Sequence, residues 1–127
     1  MEGGKILFLK RRSTGYFDGY YSVSAGHVEE GEAAVQAVIR EAREELGITL
    51  RAVEFAYVMH RFEGRYRVDF FFKALDFEGV PTNAEPEKAE RLAYFRQGSL
   101  PENVVPYVKK AVTDYFLHGK NCGEFFL

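Results

Sequence analysis

Apolar positions along this chain change period several times, and each change marks an element. Residues 5–11 (KILFLKR) form an apolar run with basic flanks and read as a strand. Residues 13–19 hold two glycines and an aspartate, the chemistry of a loop, and residues 20–23 predict a second short strand. Over residues 32–46 the period becomes helical: Val35, Val38, Ile39, Ala42 and Leu46 share one stripe, and Gly47 is placed to stop the helix. Residues 52–62 and 66–75 are rich in β-branched and aromatic side chains. Glu63-Gly64-Arg65 separates them, so they predict a hairpin. Residues 79–88, with two prolines, predict a loop, and residues 92–96 a short strand. Val108, Ala111, Val112, Tyr115 and Phe116 recur at helical spacing and predict a last helix from 105 or 106 to 117. Pro106 suits its first turn and Gly119 its end. No repeat, linker or low-complexity tract interrupts this order. The expectation is a single α/β domain over residues 1–127, with mixed strands and two main helices.

Composition narrows the class. A chain of 127 residues that is 46% hydrophobic can bury a real core. Its net charge of −2 gives no global field toward a nucleic-acid polymer or an anionic membrane. No apolar run approaches the roughly 18–20 residues that span a bilayer, so no membrane partner is expected. The start, MEGGKILFLKRR, lacks the order of a signal peptide, and Cys122 is the single cysteine. A reducing, cytoplasmic setting is the expectation. Aromatic residues make up 16% of the chain, enough to fill a core and stack a base.

The helix over residues 32–46 also carries the candidate chemistry. At about 100° per residue, Glu44 lies near −60° and Glu45 near +40° from Glu41, so the three carboxylates share an arc of about 100°. The apolar stripe adjoins that arc, which places the acids at the rim of a packed site. Like charges this close repel, by a few tenths of a kcal/mol per pair on an isolated helix. A hard divalent cation such as Mg²⁺ or Mn²⁺ offsets the repulsion and suits carboxylate oxygens.

Those acids stand in a longer pattern. Gly26 is followed after five residues by Glu32, then after seven by Arg40-Glu41, then by Ala42, Glu44-Glu45, Gly47 and Ile48. The run GHVEEGEAAVQAVIREAREELGI matches the whole of G-x5-E-x7-R-E-U-x-E-E-x-G-U, with U apolar, and strongly resembles the Nudix box. At typical residue frequencies of about 6–7%, its seven fixed positions coincide on the order of once in 10⁸–10⁹ windows. Looser similarity covers most of the chain: LFLKRR resembles a family strand, GYFDGYYSVSAGHVEEGE the approach to the box, and LAYF a later strand. Two features depart from the family. Ser24-Ala25 stands where Pro-Gly is common, and many relatives have another strand ahead of LFLKRR. The second departure leaves three readings: a trimmed domain, a sheet edge completed by a partner chain, or a start further upstream.

The resemblance implies an α/β/α sandwich with a mixed sheet and Mg²⁺-dependent (or Mn²⁺-dependent) hydrolysis of a nucleoside diphosphate linked to another moiety. The substrate class is a small nucleotide: a nucleoside triphosphate, an oxidised nucleotide or an ADP-ribose-like compound. It implies Glu44 as central metal ligand, Glu41 and Glu45 as further ligands, and the Gly26 carbonyl as another. Either Glu41 or a loop carboxylate is the general base. Arg40 orients a box glutamate, with Glu32 as its structural partner. Arg12 reads as a phosphate contact or as a solvated strand-end charge. Glu85, Glu87 and Glu90 read as a loop ligand or base, or as surface charges. Tyr16, Phe17, Tyr21 and Phe62 read as stacking rings or as core. His60 reads as a packed or exposed strand residue, His27 has no assigned role, and Cys122 reads as inert.

Two other functions fit the same fold: a non-catalytic nucleotide-binding regulatory module, and an isomerase. The intact glutamates argue against the first and the short chain against the second. The bare N-terminal edge and the apolar tail Phe125-Phe126-Leu127 point to a homodimer.

Overall fold

The computed structural model describes residues 4–25 and 28–127. The chain runs β1 (Lys5–Arg11), β2 (Tyr21–Ser22), α1 (Ala34–Leu46), β3 (Thr49–Phe62), β4 (Tyr66–Glu78), β5 (Ala89–Arg96), α2 (Pro106–His118) and β6 (Cys122–Phe126). Two three-stranded sheets form, in the orders β2-β1-β5 and β4-β3-β6. β1 is antiparallel to both of its neighbours, and β3 is antiparallel to β4 but parallel to β6. This is the mixed α/β architecture expected.

Each helix ties the two sheets together. Ala42 and Leu46 of α1 are buried in one cluster with Leu9 of β1, Leu50 of β3 and Ala89 of β5. Val108 and Val112 of α2 pack with Phe8 of β1 and Tyr21 of β2, while Ala111 packs with Tyr57 and Met59 of β3. Pro106 opens α2 at its first turn, as its fixed φ favours. Gly47 ends α1 in the left-handed conformation, φ 68°, and donates its N–H to the Arg43 carbonyl.

Several boundaries differ from the sequence reading. α1 starts at Ala34 rather than 32, because the Glu32 N–H closes a turn onto the Glu29 carbonyl at 3.0 Å. Val35 lies in the first turn of α1, ahead of the residues that meet the sheets. It stays 42% exposed, whereas Ala37 is buried. The hairpin is longer than predicted, since bulges near Ala52 and Ala56 let β3 and β4 bend and keep pairing from Thr49↔Glu78 to Phe62↔Tyr66.

The last strand, β6, was not anticipated. Gly123 interrupts its apolar pattern, and the reason lies across the sheet: the Tyr57 hydroxyl fills the space that any Cβ at 123 would need. Phe125 packs beside the Tyr57–Met59 cluster and Phe126 stacks on Phe62, so the apolar tail serves the fold of its own chain.

Candidate active site

The box region is organised around Arg40. Glu32, just ahead of α1, accepts from Arg40 Nε at 2.8 Å and from Nη2 at 3.1 Å. Arg40 Nη1 donates to Glu41 at 2.6 Å and to Glu44, one turn on, at 2.9 Å. The hydrogen bond from Arg40 holds the Glu32 carboxyl below the usual range, and Glu32 in turn raises the guanidinium's pKa. A single cation thus gathers three box acids. Its planar fork allows this, where an ammonium would act as a point charge.

Glu45 is held separately. Its Oε1 accepts from the Ser24 hydroxyl at 2.7 Å and from the Ala25 N–H at 3.0 Å. Burial pushes its carboxyl up to about 7; the bond from Ser24 opposes this, and the neighbouring Glu41 adds to the rise. Ser24-Ala25, the departure from the family pattern, therefore serves as a clamp on the helix. Such a contact was missed because it joins a loop to a helix across twenty-one positions.

The loop over residues 79–88 closes on the end of α1. The Thr82 N–H donates to the Leu46 carbonyl at 2.9 Å and the Ala84 N–H to the Glu45 carbonyl at 3.1 Å. The fold thereby brings Arg40, Glu41, Glu44, Glu45 and the loop residue Glu85 to the wall of one cleft of about 1420 Å³.

Other candidates lie elsewhere or face other partners. Arg12 Nε donates to the Pro86 carbonyl at 2.8 Å, bracing the same loop. Glu87 is exposed, and Glu90 pairs with Lys10 at 3.1 Å. Tyr21 is a core residue, 3% exposed, with its ring edge-on to Phe95 and its hydroxyl accepting from Arg91 Nε at 3.0 Å. Phe62 stacks with Phe126 and lies tilted to Tyr66, the exposed His60 stacks on Tyr66, and Cys122 is exposed. Gly26, expected as a ligand, and His27 lie outside the described residues.

A second polar group was not foreseen. Arg61, 3% exposed, forms a two-pronged bond to Asp69 at 2.7 and 3.1 Å and lies over the Tyr107 ring at 3.7 Å. Tyr16 donates its hydroxyl to Glu63 at 2.8 Å beside it. The hairpin register carried the signal: Arg61 opposes Arg67, which puts Asp69 one diagonal step away on the same face.

Among the described residues, no three His, Cys, Asp or Glu side chains converge as a finished cage for a metal ion. The donors nonetheless suit a hard divalent cation. They are all carboxylate oxygens, and burial, with a smaller push from the neighbouring Glu41, raises the carboxyl of the half-buried Glu45. A cation there favours the charged form.

A family model described as NUDIX domain matches residues 1–115. The NAD-capped RNA hydrolase NudC of Pseudomonas aeruginosa PAO1 is 34% identical over 100 residues, covering 78% of this chain but 34% of that protein. The chain therefore spans about a third of that relative's length. The 8-oxo-dGTP diphosphatase of Escherichia coli K12 is 29% identical over 90 residues, covering 70% of each. A MutT NUDIX hydrolase from Burkholderia pseudomallei superposes with a TM-score of 0.80 at 30% identity, covering 88% of both chains. The E. coli ORF135 protein does so with a TM-score of 0.77 at 26% identity, covering 92% of this chain and 82% of its own. Sequence, helix and sheet order lead to one conclusion: this chain belongs to the Nudix family.

Proposed function

We propose that this protein is a divalent-metal-dependent pyrophosphohydrolase, with Mg²⁺ or Mn²⁺ as its ion, acting on a nucleoside diphosphate linked to a second moiety. The observation that carries the reading is the gathering of Glu41 and Glu44 on Arg40 beside the half-buried Glu45, at the wall of one cleft. Glu44, Glu41 and Glu45 would hold the ion, with the Gly26 carbonyl as a further ligand. When bound, the ion neutralises phosphate charge and makes a bound water more acidic. Arg40 fixes the rotamers of Glu41 and Glu44, and Ser24 fixes that of Glu45. Glu41 or Glu85 accepts the proton of the attacking water as a P–O bond forms and the bond to the bridging oxygen breaks. Arg12 supports the loop that carries Glu85 and Glu87.

The substrate is proposed to be a small nucleotide, in keeping with the 8-oxo-dGTP diphosphatase relative. Among the described residues no helix is long and apolar enough to cross a membrane, and the lone Cys122 suits a reducing cytoplasm. The test is a panel of nucleoside triphosphates, oxidised nucleotides, dinucleotides, nucleotide sugars and an NAD-capped RNA, assayed with Mg²⁺ for released phosphate, pyrophosphate or nucleotide. EDTA should abolish turnover and Mg²⁺ or Mn²⁺ restore it. No turnover by folded, Mg²⁺-binding protein on any member would overturn the proposal in favour of the regulatory module.

A further inference from the structure

The sheet β4-β3-β6 buries one face and leaves the other bare. Tyr57 and Met59 of β3 pack with Ala111 of α2, and Arg61 lies over the Tyr107 ring, so that face belongs to the core. Strand alternation turns Val58, His60 and Phe62 the other way. The register sets Tyr66, Val68 and Phe70 of β4, and Cys122, Glu124 and Phe126 of β6, beside them. Their rings join: His60 stacks on Tyr66 at 5.5 Å, and Phe126 meets His60 at 5.2 Å and Phe62 at 6.2 Å. Yet Tyr66 is 69% exposed, Val68 58%, Phe126 55% and Phe70 51%. β3 and β6 supply half of this cluster and lie away from the β4 edge, so the face stays bare whatever pairs with that edge.

Size, shape and charge point to one occupant. At about 200 Å² a ring, Tyr66, Phe70 and Phe126 alone present about 350 Å², as much as the whole of the largest apolar patch on many monomers. Val68 and the half-exposed side chains of His60 and Glu124 bring the face toward the roughly 800 Å² that each partner gives to a standard interface. Among the rings lies a hollow of about 440 Å³, lined by Val58, His60, Val68, Cys122, Gly123 and Glu124. A face that carries projecting rings beside a hollow can complement itself, because a two-fold axis seats a ring of each copy in the hollow of the other. The polar groups at the rim suit the same symmetry. His60 and Glu124 stand 3.7 Å apart, so each copy offers its mate both an imidazole and a carboxylate instead of one repelling sign.

We propose that two copies of this chain associate through the outer face of β4-β3-β6, about a two-fold axis. Cys122 lines the hollow and is the chain's one thiol, so its alkylation reports on this face alone. Sedimentation between about 1 μM and about 1 mM, the range of weak association, should show the mass rise from 14.5 kDa toward twice that value. Over the same range, alkylation of Cys122 should slow by about tenfold or more, following the associated fraction. Val68→Lys, which sets a charge beside the hollow, should keep its circular dichroism, stay at the mass of one copy and react at one rate throughout. Tyr66→Lys, at the exposed end of the hairpin, should do the same. A single-copy mass at every concentration would overturn the proposal. So would a dimer whose Cys122 reacts as fast as in the monomer, or one that both lysine variants leave intact, since either would put the contact elsewhere.

Discussion

The Ser24 hydroxyl donates to Glu45 at 2.7 Å, locking the last box acid to the loop that enters the box. Removing such a support typically weakens metal binding by about tenfold or more. Ser24→Ala should therefore raise the Mg²⁺ concentration for half-maximal turnover by about tenfold, with melting temperature changed little. An unchanged Mg²⁺ titration would show that the clamp is incidental.

Glu44 is more exposed than Glu32 or Glu41, with 44% of its side chain accessible against 15% and 13%. Glu44→Gln keeps its size and should leave the fold intact while cutting turnover by about 10³-fold or more, the scale lost with a key electrostatic group. Near wild-type turnover would rule out its place among the ligands.

Arg40 holds Glu32, Glu41 and Glu44 together, so its loss should be felt twice. Arg40→Ala should lower stability by leaving Glu32, Glu41 and Glu44 without their shared donor, and should also reduce turnover. Arg40→Lys should recover part of the stability but less of the activity, because an ammonium cannot serve three acids at fixed angles. Denaturant melts and steady-state rates on both variants separate the two effects.

Tyr57 donates its hydroxyl to Asp114 at 2.6 Å inside the core, and Lys110 bonds the same carboxylate at 3.0 Å. Burial raises the Asp114 pKa, but the bonds from Tyr57 and Lys110 outweigh it and hold the group below its ordinary 3.8. A depressed acid contributes stability above that value and loses it as pH falls through the folded pKa. Burial, and then the bond to Asp114, push the Tyr57 pKa above its ordinary 10.0, so its contribution is present below that pH and lost above it. Tyr57→Phe should lower stability at neutral pH by about 1–3 kcal/mol and flatten both limbs of a melting-temperature profile. A variant profile parallel to wild type would refute the pairing.

The strong periodic elements were legible in the sequence. Ala42 and Leu46 of the α1 stripe, the Gly47 stop and Pro106 at the start of α2 all sit where local chemistry puts them. The grouping of Arg40 with Glu32 followed from helical spacing. What stayed hidden depends on distant segments. β6 is too short and too interrupted to announce itself, since Gly123 answers to Tyr57 and not to its neighbours. Ser24 meets Glu45, and Arg61 meets Tyr107, only after the sheets and helices have assembled.

That late assembly has a consequence for how the chain reaches its native state. Val58 faces Cys122 across a parallel ladder, and the whole of α2 must be made before the two can meet. A nascent chain therefore carries β3 with a bare edge while synthesis continues through residues 63–121. Non-local pairings of this kind slow folding, and an unpaired edge invites the wrong neighbour. The protein should depend on chaperone shielding during translation more than its small size suggests.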